Sequence, residues 1–325
     1  MKNLCIVGFG SIGPVHAKAI SGIESVQFYA VCDNNPEKIE KCKKDYDVKS
    51  YLDFDEMLSD ENIDGIHICT PHYLHFEMIK KALEKGKSVV CEKPVTMTKA
   101  EYEELLKHPG VDKVCVVLQN RFNPCSLRFK ELAESGELGK LKTARAVVTW
   151  IRNADYYKSE SWRGKWATEG GGVMINQAVH TLDYFNYILG GVKSVKAQMS
   201  NFTLEDVIEV EDTASASFVL KDGQRAVMFA TNAYGVNKMP EFEAVFEKGI
   251  VKYENSTLYI DGKPIENDKT ISGEKSYWGI GHPALFGSFY EGNEYFSPLD
   301  IKNTMHTLFA MYESAKNGGK EIEIE

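Results

Sequence analysis

No C-x-x-C pair occurs in these 325 residues, and the seven cysteines, at positions 5, 32, 42, 69, 91, 115 and 125, are odd in number and scattered. That pattern excludes a zinc knuckle and a disulfide scaffold, and it fits a reduced, cytoplasmic setting. Basic residues are in deficit: 38 Lys and Arg against 47 Asp and Glu leave a net charge of −9. Nucleic-acid binding needs a concentrated basic face, so no nucleic-acid partner is expected. An anionic small substrate stays open, because a cleft on an acidic protein can be locally positive. Long hydrophobic runs are missing too. The run Leu4-Cys5-Ile6-Val7 stops at Gly8, far short of the ~20 residues a membrane helix requires, and no cleavage-site pattern follows it. No membrane partner is expected, and neither an internal repeat nor a low-complexity tract is visible.

What is present is an ordinary globular composition in a chain long enough for two domains. The first third alternates strand-like runs at 4–8, 27–33, 65–70, 88–92 and 113–120 with amphipathic segments at 36–46, 75–85 and 99–108. Near-continuous apolar strands alternating with helices predict an α/β domain with a doubly wound parallel sheet, over residues 1–120. From 121 to 325 the pattern changes. A helix at 125–135 and a strand at 141–150 lead through an irregular aromatic stretch, 152–172, to a long helix at 173–189. Alternating runs follow at 194–202, 213–220, 224–233 and 241–246, and a last helix at 301–316. This half reads as an α+β domain whose open, predominantly antiparallel sheet is covered by helices on one face.

Gly8-Phe9-Gly10-Ser11-Ile12-Gly13 fits G-x-G-x-x-G directly after an apolar strand and at the start of a helix. The glycines allow a tight turn, close approach of a pyrophosphate, and close helix–strand packing, while the helix N-terminus offers N–H groups to phosphate. The second strand ends on Asp33, at the distance where a carboxylate takes the ribose 2′-hydroxyl. A carboxylate would repel a 2′-phosphate, and Asn34-Asn35 rather than arginine follows, so NAD is expected in preference to NADP.

Two more motifs close later strands, where ligands of open α/β sheets bind. They are Cys69-Thr70-Pro71-His72-Tyr73-Leu74-His75 and Cys91-Glu92-Lys93-Pro94. Thr70, Pro71, His72, His75, Glu92, Lys93, Gln119 and Arg121 join the Gly8–Gly13 loop and Asp33 as cofactor-binding candidates. Partial burial near a nicotinamide would lower the Lys93 pKa and make it a plausible acid/base. On the 173–189 helix Asn176, His180 and Asp183 are spaced to share one face. Asp183 or Asn176 could orient the His180 imidazole and leave its other nitrogen for a substrate hydroxyl. The bland reading is a core histidine.

Gly8–Gly13 with His16, Glu92-Lys93-Pro94, Gln119-Asn120-Arg121-Phe122-Asn123-Pro124, and Trp162-Arg163-Gly164 ahead of the helix to Asp183 resemble the Gfo/Idh/MocA oxidoreductases, a family that includes glucose-fructose oxidoreductase and inositol 2-dehydrogenase. The resemblance runs from residue 1 to about 190. It implies a Rossmann domain, a sheet domain that often pairs into homodimers or homotetramers, a cis peptide before Pro94, and no metal. It also implies that Lys93 and His180 are the catalytic pair. Many members carry aspartate where this chain has Asn176, so an aspartate–histidine relay is in doubt. Asn176-Gln177-Ala178-Val179-His180 and Tyr156-Tyr157 resemble a branch with UDP-N-acetylglucosaminuronate 3-dehydrogenases.

The expected activity is oxidation of a secondary hydroxyl of a sugar, cyclitol, sugar acid or nucleotide sugar by hydride transfer to the nicotinamide. His180 serves as base and Lys93 polarises the alkoxide, or the two roles are reversed. Lys93, Arg121, Tyr157, Trp162, Arg163, Asn176, His180 and His282 are the substrate-contact candidates, with loop packing the alternative for Trp162 and a structural role for His282. Specificity is expected from the loops at 152–168 and 277–289. Two other functions stay open: a dinucleotide-dependent sensor without catalysis, and a glycosidase that uses NAD transiently. Cys69, His72 and His75 could be read as metal ligands, but no fourth ligand lies nearby. Asn255-Ser256-Thr257 is a sequon that reads as a turn.

Overall fold

The computed structural model describes residues 1–268 and 280–324. They form two compact units, one of Met1–Gln119 with His282–Ile301, the other of Asn120–Gly281 with Lys302–Glu325. A single division after residue 120 assigns His282–Ile301 to the second unit, whereas the structure packs this segment into the first. Its ties are specific: Val116 N–H donates to Phe296 O at 2.8 Å, Tyr102 O–H donates to Pro298 O, and Tyr290 meets His67. These are pairings between distant parts of the chain, which local periodicity does not encode.

Among the described residues, the first unit holds a six-stranded sheet: β1 (Lys2–Val7), β2 (Val26–Cys32), β3 (Lys49–Tyr51), β4 (Gly65–Ile68), β5 (Ser88–Cys91) and β6 (Val114–Val116). Their order is β3-β2-β1-β4-β5-β6, and all pairings are parallel. The order reverses between β1 and β4, so the loops after these two strands flank the switch point where open sheets bind ligands. β4 and β6 are buried at every residue, as strands covered on both faces must be. The helices start on residues chosen for that purpose. Asn35 accepts from Glu37 N–H ahead of Pro36–Asp45, and Thr98 with Glu101 makes a reciprocal capping box for Lys99–Leu106. The apolar run at 113–120 yields a strand of only three residues, followed by a tight helical turn at Gln119–Phe122.

The second unit is built on a nine-stranded sheet: β7 (Leu141–Thr149), β8 (Val192–Ser200), β9 (Thr213–Leu220), β10 (Arg225–Thr231), β11 (Glu241–Phe246), β12 (Ile250–Glu254), β13 (Thr257–Ile260), β14 (Lys263–Asn267) and β15 (Ile322–Glu323). The order is β14-β13-β12-β11-β7-β10-β9-β8-β15; β7 and β10 are parallel, and the remaining pairs are antiparallel. Burial alternates along β9 and β10, the signature of a sheet with one covered face. The helix Lys302–Lys316 lies on β8, and Val179–Tyr187 packs on β7 and β11. Between helix and sheet the rings of Phe185, Phe218 and Phe242 meet, with Phe185 centred 4.9 Å from Phe218 and 5.0 Å from Phe242. The sequon at Asn255 is the tight turn joining β12 to β13, with φ of 49° at Asn255 and 56° at Ser256. No helix among the described residues is long and apolar enough to cross a membrane.

The single helix expected at 173–189 is divided into Val173–Asn176 and Val179–Tyr187. Ala178 N–H reaches back five residues to Val173 O at 2.8 Å, sharing that carbonyl with Gln177 N–H. One extra residue is thus accommodated in the turn, a helix irregularity common at functional sites. Gln177 and Ala178 keep right-handed helical conformation, so the interruption bends the ladder without turning the chain out.

Candidate active site

Fit to a dinucleotide begins at β1. Gly8 has φ +90°, and a Cβ there would lie 2.7 Å from Cys69 O, so the turn admits only glycine. At Gly10 a Cβ would meet nothing nearer than Lys38 Nζ at 4.0 Å, which leaves an open cradle beside the helix Gly13–Ile20. Asp33, 8% exposed, accepts from Phe9 N–H through Oδ2 at 2.8 Å and from Asn35 N–H through Oδ1 at 2.9 Å. The carboxylate that would hold a ribose also shapes the phosphate loop, so cradle and ribose acceptor are one rigid piece. These residues fit NAD.

At the ends of β4 and β5 the side chains form a connected set. The Lys93–Pro94 peptide is cis, Lys93 is half-buried, and its N–H donates to Glu92 Oε2 at 3.2 Å. His75, expected among the cofactor contacts, is fully buried. Its Nδ1 lies 2.8 Å from Pro94 O and its Nε2 2.9 Å from Thr70 O, so it braces the two strand-end loops. Thr70 and Pro71 lie in the first of those loops, just ahead of the buried His72, which opens the helix His72–Glu84. Gln119 is buried at the close of the unit.

Behind Glu92 runs a chain of buried groups that sequence reading did not assemble. His16 Nε2 lies 3.1 Å from Glu92 Oε1, His16 Nδ1 2.8 Å from His67 Nδ1, and His67 Nε2 2.8 Å from Tyr290 Oη. Burial alone would raise the Glu92 pKa, but the His16 hydrogen bond and the positive charge of Lys93 outweigh it and hold the carboxyl down to about 2. An ionised Glu92 can only accept, so His16 Nε2–H donates to it. His67 stood in plain view as a lone polar residue in a buried strand.

His282 joins this cluster, its ring 6.0 Å from those of His16 and Phe286. It is 3% exposed, and burial pulls its pKa down to about 3, so it is neutral at pH 7. It lies in the helix Gly281–Glu291 rather than in a loop. Tyr277 to Gly279 of that loop lie outside the described residues. Ligand atoms of His16, Glu92 and His282 all lie within 4.8 Å of one another; a cation there would have to displace the proton that His16 gives Glu92.

In the second unit, Asn176 and His180 are the two residues of 171–185 that are not buried. The helix face they share is the one the sheet leaves open. Asp183 turns the other way. It is 2% exposed and takes Arg121 in a two-point ion pair, Nε to Oδ2 at 2.7 Å and Nη2 to Oδ1 at 2.6 Å, with Thr304 O–H on Oδ1 as well. Arg121, expected to meet substrate or cofactor, is buried and stacked on Tyr187, and Asp183 pairs with its charge. The helix start is held by buried Glu211, which accepts from Gly172 N–H at 2.8 Å, Met174 N–H at 3.1 Å and Tyr312 O–H at 2.8 Å. Gly172 has no room for a side chain, because a Cβ would strike Glu211 O.

The aromatic stretch before the helix sorts its candidates. Tyr157 is 5% exposed, packed with Leu204, Ile208 and Val210, and its oxygen accepts from Asn232 Nδ2 at 3.1 Å. It is a packing residue rather than the expected substrate contact. Its neighbour Tyr156 is the one that meets Arg163. Arg163 stacks between the rings of Tyr156 and Trp162, at 4.4 and 4.6 Å, and donates to Tyr156 Oη at 2.5 Å. Gln177 Nε2 reaches the same oxygen. Trp162 and Arg163 are half-buried, a stacked pair offering a flat face and a guanidinium edge.

Comparison with known proteins agrees with this layout. Residues 2–120 match the description "Oxidoreductase family, NAD-binding Rossmann fold", and residues 126–252 match the GFO/IDH/MocA C-terminal domain. The chain is 27% identical over 241 residues to the myo-inositol 2-dehydrogenase of Thermotoga maritima (71% of this chain, 66% of that protein). It is 26% identical over 259 residues to the inositol 2-dehydrogenase of Rhizobium meliloti (77% and 74%). The crystal structure of the WlbA dehydrogenase from Bordetella pertussis, in complex with NADH and UDP-GlcNAcA, superposes with a TM-score of 0.86 at 25% identity, covering 100% of this chain and 99% of that one. The chain is a member of the GFO/IDH/MocA family of NAD-dependent oxidoreductases.

Proposed function

We propose that this protein oxidises a secondary hydroxyl of a polyhydroxylated substrate, a cyclitol or a nucleotide-linked sugar acid, with His180 as the base and Lys93 as the cation that stabilises the developing alkoxide. Bound NAD supplies the hydride acceptor. The observation that carries the reading is the exposure pattern of residues 171–185, in which Asn176 and His180 alone escape burial. A neutral imidazole presented on such a face can take a hydroxyl proton. Lys93, whose backbone is anchored between Glu92 and the Pro94 turn that His75 braces, supplies the ammonium. Arg163 stacked on Trp162 suits a sugar ring with an anionic substituent. The inositol dehydrogenases and the UDP-GlcNAcA complex among the relatives bracket this substrate class. Exposed Val227 and Phe229 on the uncovered face of the second sheet support self-association through that face.

The test is NADH formation, followed by absorbance, with myo-inositol, UDP-GlcNAcA and a panel of aldoses as substrates. Turnover with a polyol or nucleotide sugar is expected. Dinucleotide binding with no turnover would favour a sensor, and sugar release without net NADH would favour a glycosidase.

A further inference from the structure

Glu92 is a buried carboxylate with both oxygens held. Oε1 lies 3.1 Å from His16 Nε2, and Oε2 accepts from Lys93 N–H at 3.2 Å. The second contact folds the carboxylate back onto the Lys93 backbone, and the first steadies its charge against burial. His16 is itself tied from behind. Its far nitrogen, Nδ1, meets His67 Nδ1 at 2.8 Å, and His67 Nε2 meets Tyr290 Oη at 2.8 Å. The Phe286 ring packs on both imidazoles, centred 4.7 Å from His16 and 4.8 Å from His67. Carboxylate and donor therefore meet where little water screens them.

The other titratable groups around Glu92 add no charge of their own. Burial pulls the His75 and His282 imidazoles down and pushes the Cys69 and Cys91 thiols up, so all four are neutral at pH 7. Lys93 is the cation that answers Glu92. Such a coupling is mutual: a cation that holds a carboxyl ionised is itself held charged by the anion.

We propose that His16 is a positioning residue that acts on Lys93 through Glu92: its N–H keeps an anion beside the lysine, and the anion keeps the lysine an ammonium. The inference rests on Lys93 as the cation of the proposed oxidation and adds the device that maintains it. A lysine that shed its proton in the working pH range would no longer stabilise an alkoxide. Two substitutions of His16 separate its two contacts. A glutamine amide takes the place of Nε2 and donates to Glu92, whereas an asparagine amide reaches only the place of Nδ1 and meets His67. Both leave a polar group in the buried site. His16→Asn thus strips Glu92 of its donor and leaves burial to push the carboxyl toward its neutral form; His16→Gln does not.

The experiment measures how fast acetic anhydride acetylates Lys93 in the intact protein at a series of pH values, read by mass spectrometry of the peptide that carries it. The reagent attacks only the unprotonated amine. His16→Asn and Glu92→Gln are each expected to speed the labelling by about 10-fold below the lysine's midpoint, the effect of one unit in its pKa, while His16→Gln matches the unaltered chain. His16→Asn combined with Glu92→Gln is no faster than Glu92→Gln alone, because the first acts through the second. With whichever of myo-inositol and UDP-GlcNAcA the protein oxidises, the alkaline limb of kcat/KM moves to lower pH by about one unit in the same two single variants. A merely structural role would scale kcat/KM alike at every pH and leave the limb in place. Unchanged labelling in His16→Asn, equal labelling in His16→Asn and His16→Gln, or additive effects in the double variant overturns the proposal. Lys93→Met is assayed alongside: retained turnover there removes the cation from the reaction, whereas the labelling rates need no turnover and decide the His16 coupling by themselves.

Discussion

The Nδ1 atoms of His16 and His67 face each other at 2.8 Å, so these two fully buried imidazoles share one proton. Ionised Glu92 closes the chain at one end and the Tyr290 hydroxyl at the other. His67 is the middle of the chain and touches no solvent. Replacing it with leucine leaves His16 Nδ1 and the Tyr290 hydroxyl buried without their partner, at about 1–3 kcal/mol for each. Urea unfolding of His67→Leu is expected to show a loss of that order, and an unchanged midpoint would mean that the chain contributes nothing.

Asp33 ties the dinucleotide loop to β2 through Phe9 N–H, and its carboxylate is proposed as the ribose acceptor. Asp33→Ala is expected to weaken NAD binding by more than it weakens NADP binding, since a carboxylate discriminates only against the 2′-phosphate. Calorimetric titration of both cofactors checks this. An equal loss for the two would leave Asp33 as a loop anchor alone.

Burial raises the Glu211 pKa from 4.5 to about 7, outweighing the hydrogen bonds from Tyr312 O–H and the Met174 and Gly172 amides. A raised carboxyl binds its proton more tightly in the folded state. Its contribution to stability is complete below pH 4.5 and is lost as pH rises through about 7. In Glu211→Gln this titration is gone. The stability of the unaltered protein relative to Glu211→Gln should therefore fall as pH rises across that window, and a flat difference would contradict the assignment.

The first unit was legible because its signals are local. Gly8 to Gly13, Asp33 and Glu92-Lys93-Pro94 each sit at a strand end that a run of apolar residues announces, and the sheet then fixes where those ends lie. β3 escaped because Lys49-Ser50-Tyr51 carries no apolar pattern, and β12 to β14 because exposed positions dilute their alternation. Among the site residues, spacing alone put Asn176, His180 and Asp183 on one face. The structure separates Asp183 from the other two, since Arg121 reaches it across 62 positions of sequence and draws it into the core. Tyr156 and Tyr157 are adjacent and chemically identical; both pack against Leu204, Ile208 and Val210, but only Tyr157 is buried among them. Glu169 carries no motif, and its contact with Asn176, seven residues on, is visible only in the structure.

The most direct test of the account compares NADH formation by the unaltered protein, Lys93→Met and His180→Ala, with NAD affinity measured on each. Both variants are expected to lose turnover by about 100-fold or more, the scale of a lost acid–base group, while NAD affinity stays close to that of the unaltered chain. Substantial turnover in either variant, with the cofactor still bound, would contradict the assignment of these two side chains to proton transfer.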